Sequence, residues 1–490
     1  MQNFNVMKKL MLLIYLGLIT SNLNAAVIHI PLDYMQIQHG INNASNGDTI
    51  LVQPGVYAEQ LNFSGKNIVV ASVFLLTNDT SDIASTIIAP NNLSGLDKSV
   101  ITFENNETSD AQLIGFTIEN GQGNYRLLGF DPIFYGGGIY CYDADPVLRF
   151  LNIRNNISEC GGGIFLYNSN ALIENCNISY NTCNSVAMEA PNAGGGIVMW
   201  NCDTPVIRNS IMQYNFVATA GGAIYSFNSK ADVVNCLITN NHSVVMGGAY
   251  YMDSQSHVRI INNTVSGNVC DDGPGLALKS VMYCIDSVNV TIRNSIFYGN
   301  NPPAIVCQFN YGINNITMAN TNFEGGQDSI YTNNGGSNLL LNWQGGNINT
   351  DPQFMNAVGY DFHLQPSSPC INAGDTIGVI NIPSTDLDAN PRYNGTIDMG
   401  CYEFQGPVSI FETITSSNPL LLIYPNPAIE IIRVHTSNNN PKTLIIFDSL
   451  GKIVLQKAIE GETTLDVSGL AGGVYLIRIG DIGQRVMILK

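Results

Sequence analysis

The feature that most restricts this chain is a glycine corner that it writes again and again. Residues 135–140 read YGGGIY, and the copies GGGIF, GGGIV, GGAIY, GGAY and GPGL begin at Gly161, Gly194, Gly221, Gly247 and Gly273. Counted from Gly136, the intervals are 25, 33, 27, 26 and 26 residues. Consecutive glycines carry a large entropic cost. A chain that repeats them at a near-constant interval needs them at one place in a repeated unit, and self-similarity in this range is the mark of stacked units that share one core. A recurring glycine serves either a backbone turn with positive φ or a place where layers come too close for a Cβ.

A second set of runs aligns behind the corners: IENCNISYN (173–181), IRNSIMQYN (207–215), VVNCLITNN (233–241), IINNTVSGN (260–268) and IRNSIFYGN (292–300), with LRFLNIRNN (148–156) and the looser LIGFTIENG (113–121) before them. Within each run the apolar residues alternate and an Asn interrupts them, which is strand periodicity broken at a bend. One coil holds two or three short strands, and stacking pairs each strand with its copy in parallel. The alignment lines up two Asn ladders, Asn175, Asn209, Asn235, Asn262 and Asn294, and Asn156, Asn181, Asn215, Asn241, Asn268 and Asn300. Asn tolerates left-handed backbone at corners, and stacked Asn side chains bond to their copies. The expected fold class is all-β: a parallel β-solenoid followed by a small antiparallel β-sandwich.

Charge and the termini bound the function. The net charge is −18 although only 12% of residues are charged, so the basic footprint of a nucleic-acid binder is missing. Lys8 and Lys9, an apolar run over 10–19, and Ala25–Ala26 have the layout of a secretory signal peptide over residues 1–26. The run is too short for a span, so the mature chain is expected to be exported without a membrane segment. There are 11 cysteines, an odd number that leaves at least one unpaired. Cys141, Cys176 and Cys236 sit at inward-looking positions and are expected to be packing residues.

The repeat resembles the right-handed parallel β-helix of the pectate-lyase-like superfamily, with the helix expected over 27–350. The segment IQHGINNASNGDTILVQPGVYAEQLNF (37–63) is similar to the capping entry of such proteins, with Ile37 and Ile41 of a short helix covering the end of the core. Residues 351–404, with DPQF, DFHLQPSSPCINAGD, DLDANPR and IDMGCYEF, resemble the closing segment found after β-helix repeats in bacterial surface proteins, which implies a cap on the last coil. There Cys370 and Cys401 fall in matching contexts, implying a disulfide in an exported protein. Asp386, Asp388 and Asn390 have oxygen-ligand spacing for Ca²⁺, though Pro391 stands where a calcium loop of the EF-hand type needs glycine. Residues 405–421 read as a linker. Residues 422–490 resemble the C-terminal sorting domain of the type IX secretion system, through Tyr424, Pro425, Asn426 and Pro427, then Asp448, Gly451 and Lys452, then Leu470, Gly473 and Tyr475, and terminal Lys490. This implies the type IX machinery as a partner and a secreted or outer-membrane surface location.

Catalytic motifs of relatives with this fold are incomplete here. Gly55-Val-Tyr57-Ala-Glu59 matches the first segment of pectin methylesterases, and Asn349-Thr-Asp351 the first of polygalacturonases, but their later Asp, Gln and Gly-His-Gly motifs and the Arg-x-Pro-x-x-Arg of pectate lyases are absent. Alternation after each corner instead predicts an outward aromatic stripe of Tyr140, Tyr142, Phe165, Tyr167, Trp200, Tyr225, Phe227 and Tyr250, suited to sugar rings. An acidic rim of Asp143, Asp145, Asp203, Asp253, Asp271 and Asp272 runs beside it, with carboxylates for glycoside hydrolysis or Ca²⁺. The functional expectation is recognition, with or without cleavage, of extracellular polysaccharide or cell-surface glycans. Its alternatives are a non-catalytic adhesin or scaffold, and a polysaccharide lyase or glycoside hydrolase with an unrecognised site.

Overall fold

The computed structural model describes residues 25–91, 93–129, 132–184, 193–271, 279–308, 312–333, 338–376, 382–393, 395–406, 421–424, 428–436, 442–448, 452–479 and 482–488. The signal-peptide expectation over 1–26 and the glycine corner at Gly273 fall largely outside them. Two compact units divide at residues 405 and 406.

The first unit is a right-handed parallel β-helix. Three long parallel sheets run its length: a first of 12 strands from Val27–Ile30 to Leu339–Trp343, a second of 10 from Gly55–Tyr57 to Asn322–Phe323, and a third of 10 from Leu61–Asn62 to Ile330–Thr332. One coil visits the third sheet (Ile164–Tyr167), the first (Leu172–Glu174) and the second (Asn177–Ser179), then a fourth, five-stranded sheet (Thr182–Cys183) before the next corner. Inward residues stack in register, as in Ile139, Ile164 and Ile197 of the third sheet, and form one continuous buried core. Ile37 and Ile41, on the helix Ile37–Asn43, are fully buried and seal its start.

The glycine corner uses both reasons for a glycine at successive positions. Gly161 takes φ +67°, and a Cβ on Gly162 would lie 2.6 Å from the Gly195 carbonyl oxygen of the next coil. The first glycine turns the chain; the second lets the coils close.

The two Asn ladders do different work. Asn175, Asn209, Asn235, Asn262 and Asn294 have φ between 51° and 55°, and Phe150 takes the same conformation at 53°. In the other ladder the residue before each Asn turns left-handed, while the Asn side chain is buried. The Nδ2 of Asn181 donates to the Oδ1 of Asn215 at 3.0 Å, and the chain of amides continues through Asn241, Asn268 and Asn300 at 2.9 Å per step.

The closing segment departs from the expected cap. The described residues of 351–405 lie along the outer face of the second sheet, where Phe362, Cys401 and Tyr402 pack on Leu237, and Leu364, Cys370 and Met399 on Ile296. The left-handed Asn ladder is the rail that holds them: Asn235 donates to the Thr385 carbonyl (3.4 Å), Asn262 to Asp398 (3.2 Å), Asn294 to Asp375 (2.7 Å) and Asn320 to Ala373 (3.2 Å). A sheet face bearing outward Leu237 and Ile296 must bury them, and this segment covers that side rather than the end. At the end, Leu339, Leu341 and Trp343 remain only partly buried.

The second unit is a sandwich of a three-stranded and a four-stranded antiparallel sheet, built from strands between Leu421–Tyr424 and Ile482–Ile488. Alternate residues such as Ile432, Val434, Leu444, Ile446, Ile477 and Val486 fill its core.

Candidate functional site

The outer face of the third sheet carries two parallel rows, because outward side chains of a strand stand two residues apart. The inner row is Tyr140, Phe165, Val198, Tyr225, Tyr251, Tyr283 and Val306, each in register with the next. It forms a second hydrophobic cluster outside the coil core, packed under Tyr135, Cys160, Ala193, Ala220 and Met246 of the segments that precede the corners. Tyr140, Phe165 and Tyr225 are therefore buried, at 1%, 0% and 2% exposure. They point outward as expected but do not reach solvent.

The outer row is Tyr142, Tyr167, Trp200, Phe227 and Asp253. Tyr142, Tyr167 and Phe227 are half-buried, and Trp200 is 8% exposed. Tyr142 and Tyr167 stack with centroids 5.1 Å apart and planes 5° from parallel. Trp200 turns 68° to Tyr167 and 71° to Phe227. Parallel rings stacked along the solenoid consume each other's faces, so these tyrosines offer edges and hydroxyls outward.

Tyr250 is a correction. It stands in register with Ile224 and is fully buried in the coil core. Aligning the Tyr of GGAY with that of GGAIY is one residue out of step: Ala249 and Tyr250 take the places of Ala223 and Ile224, so Tyr251 and Asp253 face outward.

The acidic rim does not converge. Asp143 is a left-handed corner residue (φ 48°) whose Oδ1 accepts from Asn168 Nδ2 at 2.8 Å, and Asp145 accepts from the Asn170 backbone N–H at 2.6 Å. Asp203 pairs with Lys230 at 3.1 Å, and Asp271 with His242 at 2.7 Å beyond the fourth sheet. Asp272 lies outside the described residues. Asp253 differs from the others. It is 8% exposed, accepts from the Tyr225 hydroxyl at 3.3 Å and from Ser254 Oγ at 2.9 Å, and burial pushes its carboxyl up to about 6, with the Asp286 carboxylate adding to the push.

The expected calcium ligands serve a turn. Asp386 Oδ1 accepts from the backbone N–H of Asp388 and Asn390 at 3.0 and 2.8 Å, and its Oδ2 from that of Glu403 at 3.0 Å. Asp388 pairs with His363 Nε2 at 2.7 Å. Among the described residues no three His, Cys, Asp or Glu side chains converge as for a metal ion. The Cys370–Cys401 disulfide is also absent, and both thiols are free and buried. The Met399 N–H donates to the Cys370 carbonyl at 3.0 Å, so Cys370 stands opposite Met399, two residues short of Cys401. The enzyme-like fragments are scaffolding too: Glu59 accepts from the backbone N–H of Ile37 and Gln38 at 3.0 Å each, and Asn349 from Gly325 at 3.0 Å.

Sequence reasoning missed Arg392, which is fully buried beneath the closing segment. It donates to the carbonyls of Gly400 and Cys401 (3.3 and 2.8 Å) and to Asn235 Oδ1, with Glu403 at 3.6 Å. The only signal is that Arg392 is the one basic residue of DLDANPR, in the same turn as Asp386 and Asp388.

In the second unit the Tyr424 hydroxyl donates to Glu462 Oε1 at 3.0 Å, the Tyr475 hydroxyl to the Ala471 carbonyl at 2.9 Å, and Asp448 closes its turn by accepting from Lys452 N–H at 2.9 Å. Gly473 opens the strand Gly473–Ile479. Pro425, Asn426, Pro427 and Gly451 lie outside the described residues.

Comparison with known proteins agrees with this architecture. Residues 422–489 match the secretion system C-terminal sorting domain, and residues 126–269 and 190–344 match the right handed beta helix region. Among solved structures the chain is similar to the crystal structure of pectate lyase Pel9A, at 13% identity and a TM-score of 0.44, covering 77% of this chain and 96% of that one. No curated protein matches. The chain is a β-helix protein with a type IX sorting domain, secreted or held at the cell surface. No helix among the described residues is long and apolar enough to cross a membrane.

Proposed function

We propose that this exported chain binds extracellular polysaccharide along the outer face of the third sheet, with Tyr142, Tyr167, Trp200 and Phe227 as the contact line. One observation carries the reading: four aromatic side chains in register on four successive coils. They border a corner where Asp143, Asn168, Asn201 and Asn228 repeat polar groups at the same spacing, with Asn168 bonded to Asp143 and Asn228 to Asn201 at 2.8 Å each. A line of repeated contacts suits a ligand that itself repeats. Polysaccharides combine apolar C–H faces with hydroxyls, which matches aromatic surface beside amides. The tyrosine hydroxyls and ring edges supply hydrogen bonds and lateral contact, and tilted Trp200 breaks the stack where a ring can be met at another angle.

A display scaffold is favoured by a different observation, the mutual stacking of Tyr142 and Tyr167, which stiffens the sheet whether or not a ligand comes. Processing of a bound chain would centre on Asp253, whose carboxyl holds its proton up to about pH 6 and suits general-acid work.

The test is binding of the full exported chain to a panel of acidic and neutral polysaccharides, with reducing ends and unsaturated products followed in parallel. Binding that weakens at least tenfold in Tyr142→Ala/Tyr167→Ala supports the contact line. Product formation lost in Asp253→Asn extends it to cleavage. Equal binding by the double variant removes this face as the site, and no binding anywhere leaves the scaffold.

A further inference from the structure

We propose that Cys284 and Cys307 form a disulfide in the exported protein, a covalent staple between two successive coils. The two residues face each other in register across the parallel strands Met282–Ile285 and Ile305–Gln308 of the third sheet. Both stand as free thiols in the structure and are fully buried in the coil core. In-register parallel strands lie about 4.8 Å apart, inside the roughly 4.4–6.8 Å of Cα separation that a disulfide bridges.

The partners of three other core thiols set this pair apart. Cys176 lies against the carbonyls of Leu148 and Glu174 (3.5 and 3.3 Å), Cys236 against Ile207 and Val234 (3.7 and 3.3 Å), and Cys202 against Leu166 and Trp200 (3.6 and 3.5 Å). Those thiols donate to backbone and sit as small polar fillers. The Cys284 thiol instead faces the Cys307 thiol of the next coil, and that neighbour together with burial raises it well above the ordinary thiol range. Facing thiols in a chain that leaves the reducing cytosol meet the condition under which disulfides persist.

The chemistry is an exchange. A thiolate of one cysteine attacks the disulfide of a dithiol–disulfide oxidant and forms a mixed disulfide. The second thiolate then displaces it, and the oxidant leaves as a dithiol carrying the two electrons. Two protons are lost from the cysteines and taken up by the oxidant's sulfurs. Buried thiols are inert, so the exchange belongs to folding, before the coil closes over both sulfurs. The bond closes one turn of the solenoid, and its loss should be felt where coils Met282–Ile285 and Ile305–Gln308 separate.

The chain is exported or refolded in a glutathione redox buffer, blocked with iodoacetamide under denaturing conditions and digested without reductant. Trypsin cuts after Arg293, between the two cysteines, and cleavage before Asp351 separates Cys307 from Cys370. The expected result is one linked peptide pair, Cys284 to Cys307, 2 Da lighter than its reduced parts. A reductant-dependent fall in melting temperature should accompany it and vanish in Cys284→Ser/Cys307→Ser. Full alkylation of both cysteines in a folded, oxidised sample, or linkage of either to a third cysteine, overturns the proposal. If the double variant fails to fold, the peptide map of the wild-type chain still decides.

Discussion

Two outer faces of the same solenoid take opposite fates. The second sheet shows Leu237, Thr264 and Ile296 outward, and the closing segment roofs them with apolar side chains, carbonyls that accept from the Asn rail, and one buried arginine. The third sheet shows Tyr142, Tyr167 and Phe227 outward, and these stay half-open. Both faces read as alternating strands. The difference lies in what the chain supplies to cover them: the second face is roofed by the tail, whereas the third is covered over its inner row and left half-open along Tyr142, Tyr167 and Phe227.

The roof should break first at Arg392. Removing it as Arg392→Met takes the donor from the Gly400 and Cys401 carbonyls and from Asn235 Oδ1, and each buried group left unsatisfied costs about 1–3 kcal/mol. The urea midpoint of the 1–405 unit should fall accordingly, with protease cutting in 351–405 ahead of the coils. Within the coils, Asn241→Ala interrupts the buried amide ladder and strands the Asn215 amide, whose Nδ2 bonds to Asn241 at 2.9 Å. Unsatisfied buried groups cost about 1–3 kcal/mol each. Asn209→Ala in the left-handed ladder should cost less, about 1–2 kcal/mol for the strained backbone. Equal losses at the two sites would erase the distinction between the ladders.

Raising the pH through neutrality should loosen the roof and spare the open face. Burial raises the Glu403 carboxyl to about 8, with Asp398 adding to it. A raised acid is fully accommodated below its unfolded value of about 4.3, and its stabilisation is lost as pH climbs toward 8. At His363 burial lowers the pKa, but hydrogen bonds to Asp361 and Asp388 outweigh it and leave it raised. Its contribution is present below about 6.5 and disappears as pH rises through the folded value. Both signs agree, so protease sensitivity of residues 351–405 should grow as pH rises from about 4.3 to about 8, and Glu403→Gln should flatten the rise. A rise that persists unchanged in Glu403→Gln assigns the effect elsewhere.

The coil architecture was legible because its signals are local. A triple glycine, an Asn at each bend and period-two apolar runs report backbone conformation and facing direction directly. What failed were questions of neighbourhood. Tyr250 deceives because a tyrosine replaces the inward isoleucine of GGAIY, so aligning Tyr250 with Tyr225 is one residue out of step, and a one-residue slip exchanges inside for outside. Tyr140, Phe165 and Tyr225 were placed on the correct face, but no periodicity tells that the segment before each corner folds over them. The tail escapes for a related reason: local context pairs its two Cys and spacing groups its Asp, while nothing local marks Arg392, whereas Asn235, Asn262 and Asn294, more than a hundred residues away in part, decide how it lies.

The most direct measurement is calorimetric binding of the full exported chain to the polysaccharide it retains best, compared with Tyr142→Ala/Tyr167→Ala and with Arg392→Met. An open recognition face on the third sheet predicts at least a tenfold loss of affinity for the tyrosine variant with its urea midpoint close to wild type, and little loss for a folded Arg392→Met chain. Unchanged affinity in the tyrosine variant, or loss only when the roof is broken, would contradict it and move the binding surface to the closing segment.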